Sequence, residues 1–151
     1  MFIPGNNDDA YTLSNGFRIP PLAMGTYKMP ESDETADLVR QALEAGYRHI
    51  DTATLYQNET AVGRGIEAAG LPREDLFITT KLDNPYHSAR EARLELRRSL
   101  DRLNLDYLDL WLIHWPVWAE RKTVCVSFFS SVKLQRRIES SISTASTVCM
   151  G

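Results

Sequence analysis

The chain has 151 residues, a quarter of them charged and 43% apolar, the profile of a water-soluble globular domain long enough to bury a core. A net charge of −3 gives no reason to expect nucleic acid as a partner, and no apolar run is long enough to span a membrane. The opening residues, MFIPGNNDDAYTL, lack the basic and apolar regions of a secretory leader, so a cytoplasmic location is expected.

The elements follow in chain order. Residues 11–19, YTLSNGFRI, read as a hairpin turning at Ser14-Asn15-Gly16, and a short strand follows at Leu22–Gly25. Ser32 is placed to cap a helix over Asp33–Ala45, with Ala36, Val39, Ala42 and Leu43 on one face and Gly46 at its stop. A strand at Tyr47–Asp51 leads to a helix over Glu59–Ala69 that ends at Gly70-Leu71-Pro72. Leu76–Lys81 is a third strand. Ser88 and Glu91 form a capping-box pair ahead of a third helix reaching Leu103, and Tyr107–His114 is an almost wholly apolar fourth strand. Strands and helices alternating at this spacing predict βαβ units around a parallel sheet, either doubly wound or barrel-shaped. No glycine-rich phosphate loop follows a strand. Gly63-Arg64-Gly65 lies inside a helix, where amide hydrogens are already used, and reads as a packing feature.

Composition changes near residue 118. Residues 1–118 carry 12 Lys/Arg against 18 Asp/Glu, whereas residues 119–151 carry five against two and hold both cysteines, Cys125 and Cys149. We therefore divide the chain into 1–118 and a divergent tail, 119–151. The cysteines lack a metal or redox spacing and read as reduced thiols.

Polar residues gather at the C-terminal ends of the strands. The second strand closes on His49-Ile50-Asp51 with Tyr56 just beyond, the third on Lys81, and the fourth on His114. Side chains alternate along a strand, so one register points Asp51, Lys81 and His114 into a common mouth. Taken singly, Lys81 is a solvated charge, Asp51 a loop hydrogen bonder, Tyr56 a half-buried aromatic and His114 a core histidine. Together they make a proton-delivery set. An ammonium beside a phenol favours the phenolate, a carboxylate keeps the ammonium charged, and an imidazole can orient a substrate oxygen. Such a set suits a reaction in which an oxygen gains a proton as its carbon gains a hydride. His49-x-Asp51 also raises a metal-dependent hydrolase, but His49, His87 and His114 show no paired ligand spacing, and no metal is expected.

The stretch Gly46–Ala53, GYRHIDTA, followed by Tyr56-Gln57-Asn58-Glu59 and Val62-Gly63, resembles the signature of the aldo/keto reductase family. Thr79-Thr80-Lys81-Leu82, Leu105–Leu110 with Ile113-His114-Trp115-Pro116, and Gly25-Thr26-Tyr27 resemble its other strand-end segments. The wording is most similar to the 2,5-diketogluconate-reductase-like members, over about residues 10–118. The resemblance implies a (β/α)8 TIM-barrel fold and reduction of a small aldehyde or ketone by hydride transfer from NADPH. It implies Tyr56 as general acid, Lys81 and Asp51 lowering its pKa, and His114 orienting the carbonyl. Thr26 and Asp51 would approach the nicotinamide-ribose end of NADPH, and Tyr27, His114 and Trp115 would line the substrate pocket.

A complete barrel of this type takes eight strands and roughly 250 residues. The expected architecture here is therefore a partial barrel: an amino-terminal hairpin plus four parallel strands with three helices. In the tail, Lys122–Phe129 resembles a fifth strand and Phe129–Ile138 the helix after it, yet Trp115–Thr123 leaves too little chain for a crossover helix. Ser140–Gly151 is expected to be disordered. These readings describe a truncated chain, a catalytically inactive fragment unable to hold NADPH, as the alternative to a working reductase. Its open sheet edges invite self-association.

Overall fold

Capping residues cut this chain into elements. The computed structural model describes residues 10–13, 16–86 and 88–115. The expected fifth strand, its helix, the disordered end and both cysteines lie outside them, as do Asn15, His87 and Pro116. The hairpin forms as β1 (Tyr11–Thr12) paired antiparallel with β2 (Arg18–Ile19), and Gly16 supplies a left-handed φ of 83° at the turn.

After β3 (Met24–Gly25), the Ser32 hydroxyl accepts a hydrogen bond from the Thr35 amide at 3.2 Å and starts α1 (Asp33–Glu44). Strand β4 (His49–Asp51) follows, then α2 (Glu59–Ala69), which stops on Gly70 at φ 63°. β5 is Phe77–Leu82. Ser88 starts α3 (Ala89–Leu103): its hydroxyl accepts from the Glu91 amide at 3.3 Å and donates to the Glu91 carboxylate at 2.5 Å. The capping pair thus forms, with Glu91 taking the hydroxyl. β6 is Leu110–Ile113.

Strands β3, β4, β5 and β6 lie side by side in chain order, all parallel. The rows Asp51–Thr79–Leu110 and Lys81–Leu112 fix which residues share a face. Ile50, Ile78, Leu82 and Trp111 point the other way and pack with Val39, Leu43, Val62, Ile66, Leu96, Leu100 and Leu103 from the three helices. Among the described residues, three helices thus cover one face of an unclosed four-stranded sheet, the expected partial barrel, and the strand-end polar residues share the opposite face.

Strands β3, β4 and β6 are shorter than the apolar runs suggest, and β5 is displaced by one residue. β6 begins at Leu110 rather than Tyr107, because Asp109 turns its carboxylate onto the Ile78 amide at 2.9 Å and onto Arg73. A side chain there replaces a ladder bond. β4 begins at His49 rather than Tyr47, and β5 runs one residue past Lys81. The two glycines inside α2 are packing residues. A Cβ on Gly63 would lie 2.5 Å from the Leu103 carbonyl oxygen of α3, and one on Gly65 2.5 Å from the Ala36 carbonyl oxygen of α1. Among the described residues, no helix is long and apolar enough to cross a membrane.

Candidate active site

Four successive segments bring their polar ends to one mouth. Asp51 ends β4, Lys81 lies one residue before the end of β5, and His114 follows β6. Tyr56 closes a 3-10 turn, Thr54–Tyr56, that leaves β4. Gln57, in the left-handed region at φ 55°, ends that turn before α2 begins.

The Lys81 ammonium forms an ion pair with Asp51 Oδ1 and donates to the Thr52 carbonyl oxygen at 3.0 Å. It also stands 5.3 Å from the centre of the Tyr56 ring. Tyr56 meets the His114 ring edge-on, with centroids 5.5 Å apart, and lies 5.1 Å from the Tyr27 ring. His114 in turn stacks on Trp115 at 6.0 Å. Tyr27 and Trp115 are 65% and 59% exposed, so they form a rim, whereas the Lys81 side chain is only 14% exposed and forms the floor. The structure thus gathers Asp51, Tyr56, Lys81, His114, Tyr27 and Trp115 in one place.

Burial first, then the Lys81 charge, push the His114 imidazole below its ordinary pKa, against the opposing pull of Asp83 and Asp51. The ring is therefore neutral at pH 7. Its Nδ1 is buried without a hydrogen-bond partner among the described residues. A buried lone pair without a partner is easier to accommodate than a buried N–H, so we assign the proton to Nε2.

Thr26 sits differently from the rest of the set. It is fully buried, its hydroxyl donates to Thr52 Oγ1 at 2.9 Å, its amide donates to the Asp51 carbonyl oxygen at 3.0 Å, and its carbonyl accepts from Asn58 Nδ2 at 2.8 Å. All its polar groups face the protein, where they lock the β3 end against the β4 end beside Asp51. His49 lies on the same sheet face but belongs to the core: 7% exposed, it bonds Thr79 Oγ1 through Nε2 at 2.9 Å, contacts Phe77 edge-on and reaches the Pro20 backbone. No group of three or more His, Cys, Asp or Glu is placed to hold a metal among the described residues.

Sequence reasoning gave no role to Asn58, which is fully buried and joins the β3 end to the β4 loop through the Thr26 and Met29 carbonyls and the Thr52 hydroxyl. Its signal was its place in the Tyr-Gln-Asn-Glu motif. Glu59, next in that motif, is 1% exposed and also carried no assignment; a buried carboxylate is uncommon enough to mark a fixed network.

Comparison with known proteins places this geometry in context. The family model described as "Aldo/keto reductase family" matches residues 21–137. The chain is 46% identical over 110 residues to the 9,11-endoperoxide prostaglandin H2 reductase of Trypanosoma cruzi, covering 73% of this chain and 39% of that protein. It is 43% identical over 114 residues to the glyoxal reductase of Bacillus subtilis, covering 76% and 41%. Among solved structures it is similar to an aldo-keto reductase of Bombyx mori in complex with NADP, with a TM-score of 0.68, 46% identity, and coverage of 72% of this chain and 38% of that one. The chain spans about two fifths of the length of each of these proteins.

Proposed function

The chain belongs to the aldo/keto reductase family, and on that premise we propose that it carries the proton-transfer half of a nicotinamide-dependent reduction of small aldehydes or ketones, with Tyr56 as the general acid. The single observation that carries this reading is the arrangement around Tyr56: the Lys81 ammonium on one side, itself held by Asp51, and the neutral His114 ring on the other.

The residues derive their roles from that geometry. A carbonyl oxygen lying between Tyr56 and His114 accepts a hydrogen bond from His114 Nε2–H, which orients it and draws electron density toward oxygen. A bound NADPH supplies the hydride to the carbonyl carbon. As the C=O π pair moves onto oxygen, the Tyr56 hydroxyl gives up its proton to that oxygen, leaving an alcohol and a phenolate. Lys81 stabilises the phenolate, and Asp51 with the Thr52 carbonyl holds the Lys81 ammonium in place. Tyr27 and Trp115, exposed at the rim, offer flat apolar surfaces to the substrate body.

The described residues fit the nicotinamide-ribose end of the cofactor. Asp51 keeps its carboxylate one third exposed at the mouth, able to accept a sugar hydroxyl, and Thr26 contributes by fixing the backbone beside it. NADPH, rather than NADH, and a cytoplasmic setting are part of the same proposal.

A second reading, a protein that keeps the proton-transfer side chains without holding NADPH by itself, is favoured by the sheet remaining unclosed among the described residues. Following NADPH fluorescence during titration of the purified chain separates the two. The first reading expects saturable binding and turnover of a simple aldehyde. Tyr56→Phe should lower kcat by about a hundredfold or more while leaving NADPH binding in place. No fluorescence response and no turnover would favour the second reading, and full turnover by Tyr56→Phe would sink the assignment of the acid.

A further inference from the structure

A buried charged cluster lies directly behind the Tyr56–Lys81 pair, on the helix side of the sheet. Glu59, at the start of α2, is 1% exposed, and Glu95, on α3, is 3% exposed. Arg102 donates through Nε to Glu59 Oε2 and through an Nη to Glu95 Oε1, both at 2.7 Å. Burial works against the Arg102 charge, but Glu95 and Glu59 outweigh it and raise its pKa. Ion-pairing alone does not require the hydroxyl at the centre of this cluster.

That hydroxyl belongs to Ser99, fully buried on α3. It donates to Glu59 Oε2 at 3.2 Å and accepts from Arg102 Nη at 3.1 Å. Its remaining contact is Thr54 Oγ1 at 3.2 Å. A serine hydroxyl has one proton and two lone pairs. With the proton on Glu59 and one lone pair on Arg102, the second lone pair must accept from Thr54, which fixes Thr54 as the donor. Thr54 opens the 3-10 turn that ends in Tyr56. On the other side of the cluster, Glu59 Oε1 accepts from the Thr80 hydroxyl at 2.6 Å, and Thr80 is the residue before Lys81 on β5.

We infer that Ser99 and Glu59 are positioning residues for the proton-transfer site: the Ser99 hydroxyl and the Glu59 carboxylate tie the turn that carries Tyr56 to the strand that carries Lys81. Each link is one residue or one short turn from its target. Tyr56 is held on one side by Thr54 and the turn's own bonds, Tyr56 N–H to the Ala53 carbonyl at 3.0 Å and Gln57 N–H to the Thr54 carbonyl at 3.1 Å. Lys81 is held on the other by its neighbour Thr80. Both lead to the same Glu59 carboxylate on α2, which Ser99 and Arg102 of α3 hold, so the turn and the strand are tied together from outside the mouth. The catalytic part of this inference rests on Tyr56 being the proton donor; the geometric part does not.

Thr54→Val is the decisive variant, because it removes the donated proton at nearly constant shape and leaves the Glu59–Arg102–Glu95 ion pairs untouched. Thr54→Ser restores the hydroxyl, and Ser99→Ala cuts the same link from α3. Two readouts are taken on the full chain. The first is the nuclear Overhauser contact between the Tyr56 ring protons and the Lys81 side-chain methylenes, with the core methyls of Val39, Leu43 and Ile50 as a control for folding. We expect Thr54→Val and Ser99→Ala to weaken that contact while the core signals hold, and Thr54→Ser to keep it. The second is aldehyde reduction, where kcat should fall about tenfold in Thr54→Val with KM within about twofold, as for misplacement of a reacting group. An unchanged Tyr56–Lys81 contact in both Thr54→Val and Ser99→Ala overturns the inference, as does its equal loss in Thr54→Ser. Absence of turnover in the wild-type chain favours the reading in which NADPH is not held and leaves the contact measurement to decide the positioning.

Discussion

His49 and His114 face the same side of one sheet, and their surroundings separate them. His49 is wedged among Phe77, Thr79 and the Pro20 backbone, so burial, as the largest cause, drives its pKa down, against the hydrogen bond to Pro20 and the charges of Asp51 and Asp109. His114 is lowered in the same direction but opens to the mouth. The consequence for stability has a definite sign. In the unfolded chain each imidazole protonates near its ordinary value of about 6.5, whereas the folded chain resists the proton. Between the folded and unfolded pKa values the unfolded state binds more protons, so stability is full above about pH 6.5 and is lost as the pH falls below it. Urea unfolding at pH 7.5, 6.5 and 5.5 should give a declining free energy. Replacing His49 by Gln lowers stability at every pH by disturbing the core but should flatten that decline. An unaltered slope in His49→Gln would mean that His49 is not a source of the acid sensitivity. Sequence alone put His49, Asp51, Lys81 and His114 on one face through strand alternation, but it could not divide core from mouth. That division depends on which neighbouring side chains close over each ring.

At the scale of the element, the helices were the most legible part. Ser32, Gly46, Ser88 and Gly70 sit where capping chemistry needs them, and α2 keeps the bounds read from its pattern, Glu59–Ala69. The strands were less so, because a strand ends where its ladder is interrupted, and at β6 the interruption is a distant arginine and an aspartate side chain. Helix α2 also shows why glycine inside a helix is not always a weakness. It is clamped between α1 and α3, and its two interior glycines let backbone approach backbone on both sides. This predicts unequal costs for the same substitution at two nearby positions. Gly65→Ala gains helix propensity, yet its Cβ would meet the Ala36 carbonyl oxygen at 2.5 Å and Val39 Cβ at 2.7 Å, forcing α1 to shift. Overpacking of this kind should leave a net loss of about 2–3 kcal/mol. At Gly70, where a Cβ meets nothing within 4 Å, the left-handed φ of 63° is the only obstacle, and Gly70→Ala should cost about 1–2 kcal/mol. Chemical denaturation of both variants checks the order; Gly70→Ala proving the more damaging would mean that α1 yields to the new methyl group at little cost.

Across the whole molecule, the parallel order β3–β4–β5–β6 with helices on one face was legible from the alternation of elements alone, whereas the choice between an open wound sheet and a barrel came only with the motif residues. What the pattern could not carry was the polar scaffold behind the mouth. Asn58 and Glu59 come from one segment and Ser99 and Arg102 from another, with Glu59 and its partner Arg102 43 residues apart, and their partners are set by tertiary packing rather than by any local period. The same architecture bears on association. Among the described residues, β3 and β6 are the two edges of the sheet, and the inner-face side chains of β6, Leu110 and Leu112, are only partly buried. A parallel sheet edge with apolar neighbours can serve as a template for a further strand. If a second copy of the chain meets that edge, association must depend on protein concentration, and burying Leu110 and Leu112 should reduce exposed apolar surface. Sedimentation velocity across a wide concentration range should therefore show a rising weight-average sedimentation coefficient, accompanied by a fall in binding of an apolar dye. A sample that stays monomeric throughout and melts in one sharp transition would show that the β6 edge is satisfied within a single chain.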